Sequence, residues 1–320
     1  MMIQTKYSLL PKNNVMKNLF LLLTLIIVLG SCKRDPIDYN ELALSPQEFA
    51  AKYAIRGENF KGKAQDGFAI QGKKGTKVKF PVDAFLDENN NPVSGDVSVH
   101  LVELLSKADV LFSGKMTESE GALLVSGGQV LIQATQAGKV LRRSPSKYIE
   151  VNVPTTFSEE PMDLFVYEKI ETGDSTWAWV EGKPRQPQNN YYTFDLPGFG
   201  WINCDYFYNN SSPKTTITSN FNPNGSGYNG AAILSQSIML VFKDENIIVS
   251  LPYSNSVHHY QSYLNSLPIG KSVYIVAIAF DNRNRTYFGT RSTVVAENMH
   301  VDIPVNPATQ QDIDQFLEQL

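Results

Sequence analysis

Cysteine is nearly absent from this sequence: Cys32 and Cys204 are the two among 320 residues, too few for a disulfide framework or a thiolate metal cluster. Histidine is scarce too. His100, His258, His259 and His300 include no i, i+4 pair flanking a carboxylate, so no metal is expected, and adjacent His258 and His259 should face opposite sides of a strand. There is no Gly-rich phosphate loop, no Gly-x-Ser-x-Gly turn and no ordered Ser/His/Asp set, so neither a cofactor nor a catalytic residue is expected. An excess of basic charge is also missing. The segment 1–31 carries Lys6, Lys12 and Lys17 and no acid, so the other 289 residues hold 25 basic and 32 acidic side chains, a net charge of −7. That composition lacks the basic stripe of a nucleic-acid binder. With 42% hydrophobic and 11% aromatic residues, the chain nonetheless has ample material for packed cores.

What is present is concentrated first at the N-terminus. Lys12 and Lys17 precede Leu19–Leu29, an uncharged run of 11 residues, which is the length of a signal-peptide core and too short for a transmembrane helix. Translation could start at Met1 or at Met16, with no effect on the mature chain. Leu29-Gly30-Ser31-Cys32 then resembles the lipobox of bacterial lipoproteins. The resemblance implies a diacylglycerol thioether on the Cys32 thiol, cleavage before Cys32, and acylation (palmitate) of the freed amine. Two or three such chains anchor a protein stably where one does not. Lys33 stands where an inner-membrane retention signal would place Asp, so the expected location is the outer membrane, on either face.

Residues 32–56 read as a lipidated tether ending in a short helix, because Ser45-Pro46-Gln47-Glu48 is a capping-box pattern. Strand signals follow. Gly72 and Gly75 bracket a turn, Asp87–Asn91 is an oxygen-rich hairpin loop preferred to a calcium site, and Val97, Val99 and Leu101 alternate with polar residues. The expected fold class is therefore all-β: two antiparallel, immunoglobulin-like β-sandwiches at 57–154 and 191–305, separated by a hairpin and linker at 155–190. Tight turns are expected at Lys243–Asn246 and Asp281–Asn284. A C-terminal helix at 306–320 carries Ile313, Phe316, Leu317 and Leu320 on one stripe, for packing on a sandwich or a partner.

The stretches Gly75–Phe85, Leu111-Phe112-Ser113, Ser126-Gly127-Gly128, Gly200–Asp205 and Met239–Asp244 resemble a group of uncharacterised Bacteroidota lipoproteins. That resemblance implies location and fold. The first sandwich is also similar, more distantly, to the β-sandwich of zonula-occludens proteins, netrin receptors and ankyrins. Some of its members cut themselves at a His-Phe-Ser step, where the Ser hydroxyl attacks the preceding carbonyl. Here the tripeptide is Leu111-Phe112-Ser113, without the His.

The functional expectation is a non-enzymatic envelope lipoprotein, joined to the membrane through Cys32, that binds an envelope protein or a glycan. The alternative is an enzyme, self-cleaving at Phe112-Ser113 or glycan-active. Ser175, in Asp174-Ser175-Thr176, matches a short O-glycosylation pattern. Tyr228, amid the flexible composition of Asn222–Gly230, is the proposed partner contact. Aromatic residues from Tyr191 to Tyr263 could stack on sugars or simply fill strands. Cys204, in a strand-like stretch, should be a buried core residue.

Overall fold

Helix α1 (Pro46–Tyr53) begins where the capping pattern places it. Ser45 Oγ accepts from Glu48 N at 3.2 Å while Glu48 Oε2 accepts from Ser45 N at 2.8 Å, satisfying two amides that a helix start leaves orphaned. The computed structural model describes residues 43–156, 162–169, 175–180, 184–223 and 230–320. Among these no helix is long and apolar enough to cross a membrane. Where the sequence reads as a tether, Leu44 is already tied into the body. Its N–H donates to Ala308 O and its carbonyl accepts from Thr286 N, each at 2.8 Å.

The architecture is all-β with short helices, built from sheets whose strand pairs, among the described residues, are antiparallel except one. In the first sandwich one sheet runs Glu58–Lys63, Asp96–Leu104, Ala122–Gln136, Gly200–Phe207, Asp163–Lys169 and Ser175–Val180. The facing sheet runs Arg185–Gln188, Tyr191–Asp195, Glu150–Pro154, Lys77–Phe80 and Phe68–Gln71. Between them lies a core that includes Val78, Phe80, Val97, Val99, Leu101, Ile132, Val151 and Tyr192. The Gly72–Gly75 turn needs its glycines for two different reasons. Gly75 has φ +104, and a Cβ on Gly72 would stand 2.3 Å from Glu103 Oε2, whose carboxylate accepts from Lys74 N and Thr76 N and thereby closes the turn.

The boundary between the sandwiches differs from the sequence reading. Pro184–Asn190 is not a linker: Arg185–Gln188 forms a hairpin with Tyr191–Asp195. Asn189 and Asn190 turn it at φ 51 and 64, the left-handed pair a tight hairpin requires and Asn tolerates. Tyr191–Asp195 then pairs with Glu150–Pro154, and Gly200–Phe207 with Ala122–Gln136 and Asp163–Lys169. Both strands, expected to open the second sandwich, complete the first.

The second sandwich begins at Lys214. One sheet runs Ile248–Leu251, Ile233–Phe242, Ser272–Asp281, Thr286–Val294 and Asn306–Pro307. The other runs Tyr253–Ser254, His259–Gln261, Thr218–Asn222 and His300–Pro304, its last pair parallel. The turns at Lys243–Asn246 and Asp281–Asn284 are as expected, the latter with Asn284 at φ 63.

A third core fuses the two. Val102 and Leu104, on the outer face of the first sandwich, pack with Met239, Val241, Val276 and Ile278 of the second and with Val110 and Leu111 of the five-residue helix α2 (Lys107–Leu111). The run Ile238–Phe242 is buried without interruption, as a strand covered on both faces must be. Helix α3 (Gln310–Leu317) seats Ile313 and Phe316 in the same core, so its apolar stripe is spent on the protein's own sheet. Tyr53 Oη of α1 donates to Asp314 Oδ1 of α3 at 2.8 Å. Residues 39–320 accordingly form one compact unit.

Candidate functional site

A cleft of about 790 Å³ opens where the sandwiches meet. Ser106, Lys107, the Ser126-Gly127 turn of the chain and Tyr191 contribute from the first sandwich, and Asp244–Asn246 from the second. Ser126 and Gly127 belong to a β-bulge. Asn203 pairs with Gln129 and Asp205 with Ser126, so Gly127 and Gly128 together oppose the single residue Cys204. Gly128 has φ +133, and a Cβ on Gly127 would lie 2.9 Å from Cys204 O, which explains the two consecutive glycines. Ser126 Oγ donates to Asn203 Oδ1 at 3.0 Å, and Asn203 Nδ2 donates to Asp205. Burial pushes the Asp205 carboxyl well above the usual range, against opposing hydrogen bonds from Ser126, Asn203 and Gly127. Behind the bulge, Ser126, Asn203 and Asp205 thus form a buried hydrogen-bonding network.

Lys107 ties the two walls together, its Nζ donating to Phe242 O at 3.0 Å and Lys243 O at 2.8 Å. Burial lowers its pKa, while Asp244 and Glu245 oppose the shift. Glu245 accepts from Tyr208 Oη at 3.0 Å and from Lys271, and those bonds from Glu245 and Tyr208 hold the Lys271 ammonium above its ordinary pKa. Asn246 Nδ2 donates to Ser126 O at 2.6 Å, so the second wall is held directly to the bulge. The remaining lining mixes hydroxyl and amide groups, among them Thr155, Thr156 and Asn190, with apolar side chains such as Leu105, Val125 and Leu320. The cleft can offer donors and acceptors, charges of both signs and the side chain of Tyr191, whose ring carries Lys77 Nζ 4.6 Å from its centre. No histidine lines it.

Cys32 and Tyr228, with the Thr172–Asp174 turn, lie outside the described residues. Ser175 opens the Ser175–Val180 strand opposite Lys169 and is exposed. Ser113 Oγ donates to Val110 O at 2.7 Å and accepts from Lys115 N at 2.9 Å, so the hydroxyl of the Phe112-Ser113 step is engaged in a local turn. Cys204 is buried as expected, and burial, with Asp205 nearby, pushes its thiol pKa up. In the 87–91 loop, Asp87 Oδ1 accepts from Asn89 N at 2.9 Å and Asn91 N at 2.8 Å, the work of a turn carboxylate. His100 bonds Asn59 in the first sandwich, whereas His259 and His300 come together in the second, their ring centres 4.7 Å apart. His258 is not on a strand; it sits in the preceding turn with φ 56. Among the described residues no three His, Cys, Asp or Glu side chains are gathered around one metal position.

The aromatic residues do not form one platform. Tyr192 fills the first core, Tyr206 packs against both, and Tyr260 meets Tyr253 edge-on at 5.3 Å in the second sandwich. Another group escaped the sequence reading altogether. Lys115 Nζ lies 3.7 Å over the Tyr167 ring and 5.6 Å over Trp201. Nearby in sequence, Glu118 is bonded to Ser250 Oγ at 3.0 Å, and burial raises its pKa from 4.5 to about 7, although the Ser250 bonds oppose this. No local motif marks Glu118, because its environment comes from strands far away in sequence.

The raised pKa of Glu118 has a definite sign. Folded protein binds this proton more tightly than unfolded chain, so the Glu118 contribution to stability is fully present below pH 4.5 and is lost as pH rises through about 7. Glu118→Gln is expected to remove about 2–3 kcal/mol of that decline. Urea unfolding of both proteins at pH 5 and pH 8 checks this, and equal pH dependence in the two would refute it.

Comparison with family models, with curated proteins and with solved structures finds no match to this chain.

Proposed function

We propose that the protein is a lipid-anchored outer-membrane binding module, held through acylated Cys32, whose inter-sandwich cleft receives a polyhydroxylated glycan. One observation carries the ligand class. Cross-sandwich hydrogen bonds fix the cleft walls, and their lining combines the hydroxyls of Ser106, Thr155 and Thr156 and the amides of Asn189 and Asn190 with the side chain of Tyr191. Sugar hydroxyls need donors and acceptors together, while sugar C–H faces stack on aromatic rings. Rigid walls reduce the ordering cost of binding. An envelope protein entering the same cleft is the competing partner. The proposal involves no catalysis; self-cleavage at Phe112-Ser113 and hydrolysis of a glycan are the rival readings.

The test is a panel of envelope and capsular polysaccharides titrated onto the detergent-solubilised mature protein. At least one should bind, and Tyr191→Ala should weaken that binding about tenfold. Failure of the whole panel, or binding indifferent to Tyr191, counts against the glycan reading. Shortened products in the panel would instead favour an enzyme, and two fragments meeting at Ser113 by intact mass would favour self-cleavage.

A further inference from the structure

We propose that His259 and His300 form a two-histidine docking point for one divalent transition-metal ion on the outer face of the second sandwich. Alternation places them there. Ser219, Tyr260, Val301 and Ile303 are buried, so Thr218, Asn220, His259, His300 and Asp302 project from the opposite face. Register then brings them together, with Thr218 opposite His300 and Asn220 opposite Asp302 in the parallel pair. The two rings lean toward each other across the central strand to a centre-to-centre distance of 4.7 Å at 55°. Metal–nitrogen bonds of about 2.0–2.1 Å place the centres of two imidazoles on one ion about 4.5 Å apart at a right-angled nitrogen–metal–nitrogen angle and about 5.2 Å apart at a tetrahedral one. The rings are therefore already spaced for a shared ion.

The hydrogen bonds set the donor atoms. His259 Nδ1 lies 2.9 Å from Asn220 Oδ1. An amide oxygen only accepts, so Nδ1 carries the proton and Nε2 presents its lone pair outward. His300 Nδ1 lies 2.8 Å from Thr218 Oγ1, and its Nε2 lies 3.2 Å from Asp302 Oδ1. In the metal-free form Nε2–H donates to the Asp302 carboxylate and Nδ1 accepts from the Thr218 hydroxyl. When the ion takes Nε2, the ring proton moves to Nδ1 and Thr218 Oγ1 accepts it, so the neutral ring changes tautomer without net proton release. Asp302 is then free to accept from a water on the ion. Asn220 and Thr218 thus act as the partners that orient ligating imidazoles, a role whose loss typically costs 10–100-fold in affinity. Water completes the coordination, consistent with the lack of a third protein ligand gathered there.

The experiment titrates zinc chloride, and separately nickel chloride, into the untagged mature protein in detergent, by calorimetry in a non-chelating buffer. One equivalent should bind. His259→Gln and His300→Gln should each weaken it at least tenfold and Asn220→Ala about tenfold, while His100→Gln, on the other sandwich, should leave it unchanged. Copper loaded on the wild type provides a readout independent of any variant: electron paramagnetic resonance should show two equatorial nitrogens. Absence of saturable binding, equal binding in the His259→Gln/His300→Gln double variant, or a spectrum with oxygen ligands alone would overturn the proposal.

Discussion

Asp281→Ala is expected to lower stability by about 3–5 kcal/mol, the cost of removing one partner of a buried ion pair. The two side chains are 0% and 7% exposed for Asp281 and Arg285. Asp281 Oδ2 accepts from Arg285 Nε at 2.8 Å and Tyr287 Oη at 3.2 Å, while Oδ1 accepts from the Arg283 and Arg285 amides at 2.9 and 3.0 Å. One carboxylate therefore closes the hairpin between two long strands and pairs with a guanidinium that is 7% exposed. Burial disfavours its ionisation, but the Arg285 and turn hydrogen bonds outweigh burial and hold its pKa below the ordinary value. Its stabilisation is present above pH 3.8 and fades on acidification, opposite in sign to the Glu118 contribution. Thermal and urea unfolding of Asp281→Ala measures the loss. The double variant Asp281→Leu/Arg285→Met should recover much of it, because an apolar pair leaves no orphaned charge. A single variant within about 0.5 kcal/mol of wild type, the range of surface substitutions, would contradict the assignment.

The second large effect concerns location. On the lipoprotein reading, Cys32→Ala should move the protein from the detergent-requiring membrane fraction to the soluble fraction while its melting temperature stays the same. Each buried CH₂ of an acyl chain contributes about 0.8 kcal/mol, so losing two or three chains removes essentially all membrane affinity. The fold should survive because Leu44, the first tie to the body, is bonded to Thr286 and Ala308, and Cys32 lies twelve residues before it. Fractionation with and without detergent decides the matter; a variant that still needs detergent sinks the anchor.

The sequence alone specified what local chemistry controls. The α1 start is a capping box closed by neighbours three residues apart, and the Asp87 and Asp281 turns are formed by side chains bonding amides two to four residues on. Val97, Val99 and Leu101 face the core because strand geometry alternates, and that alternation is written in the chain. The same locality accounts for the Pro184–Asn190 error: Pro and Gln suggest a linker, while the Asn189-Asn190 turn is stable as a hairpin only because Glu150–Pro154 offers Tyr191–Asp195 an edge. Tertiary structure decided everything that depends on distant partners. It assigned Gly200–Phe207 to the first sandwich, since strand pairing is chosen by which edges are left open. It set Ser126 and Gly127 of the bulge in the lining of a cleft. His259 and His300 are 41 positions apart, and no spacing rule links them. They meet because a parallel pairing sets His300 beside Thr218 and an antiparallel one sets His259 near Asn220. Glu118 likewise owes its proton affinity to Ser250 and the strands that bury it, a desolvation that exists only once the two sandwiches have closed on each other.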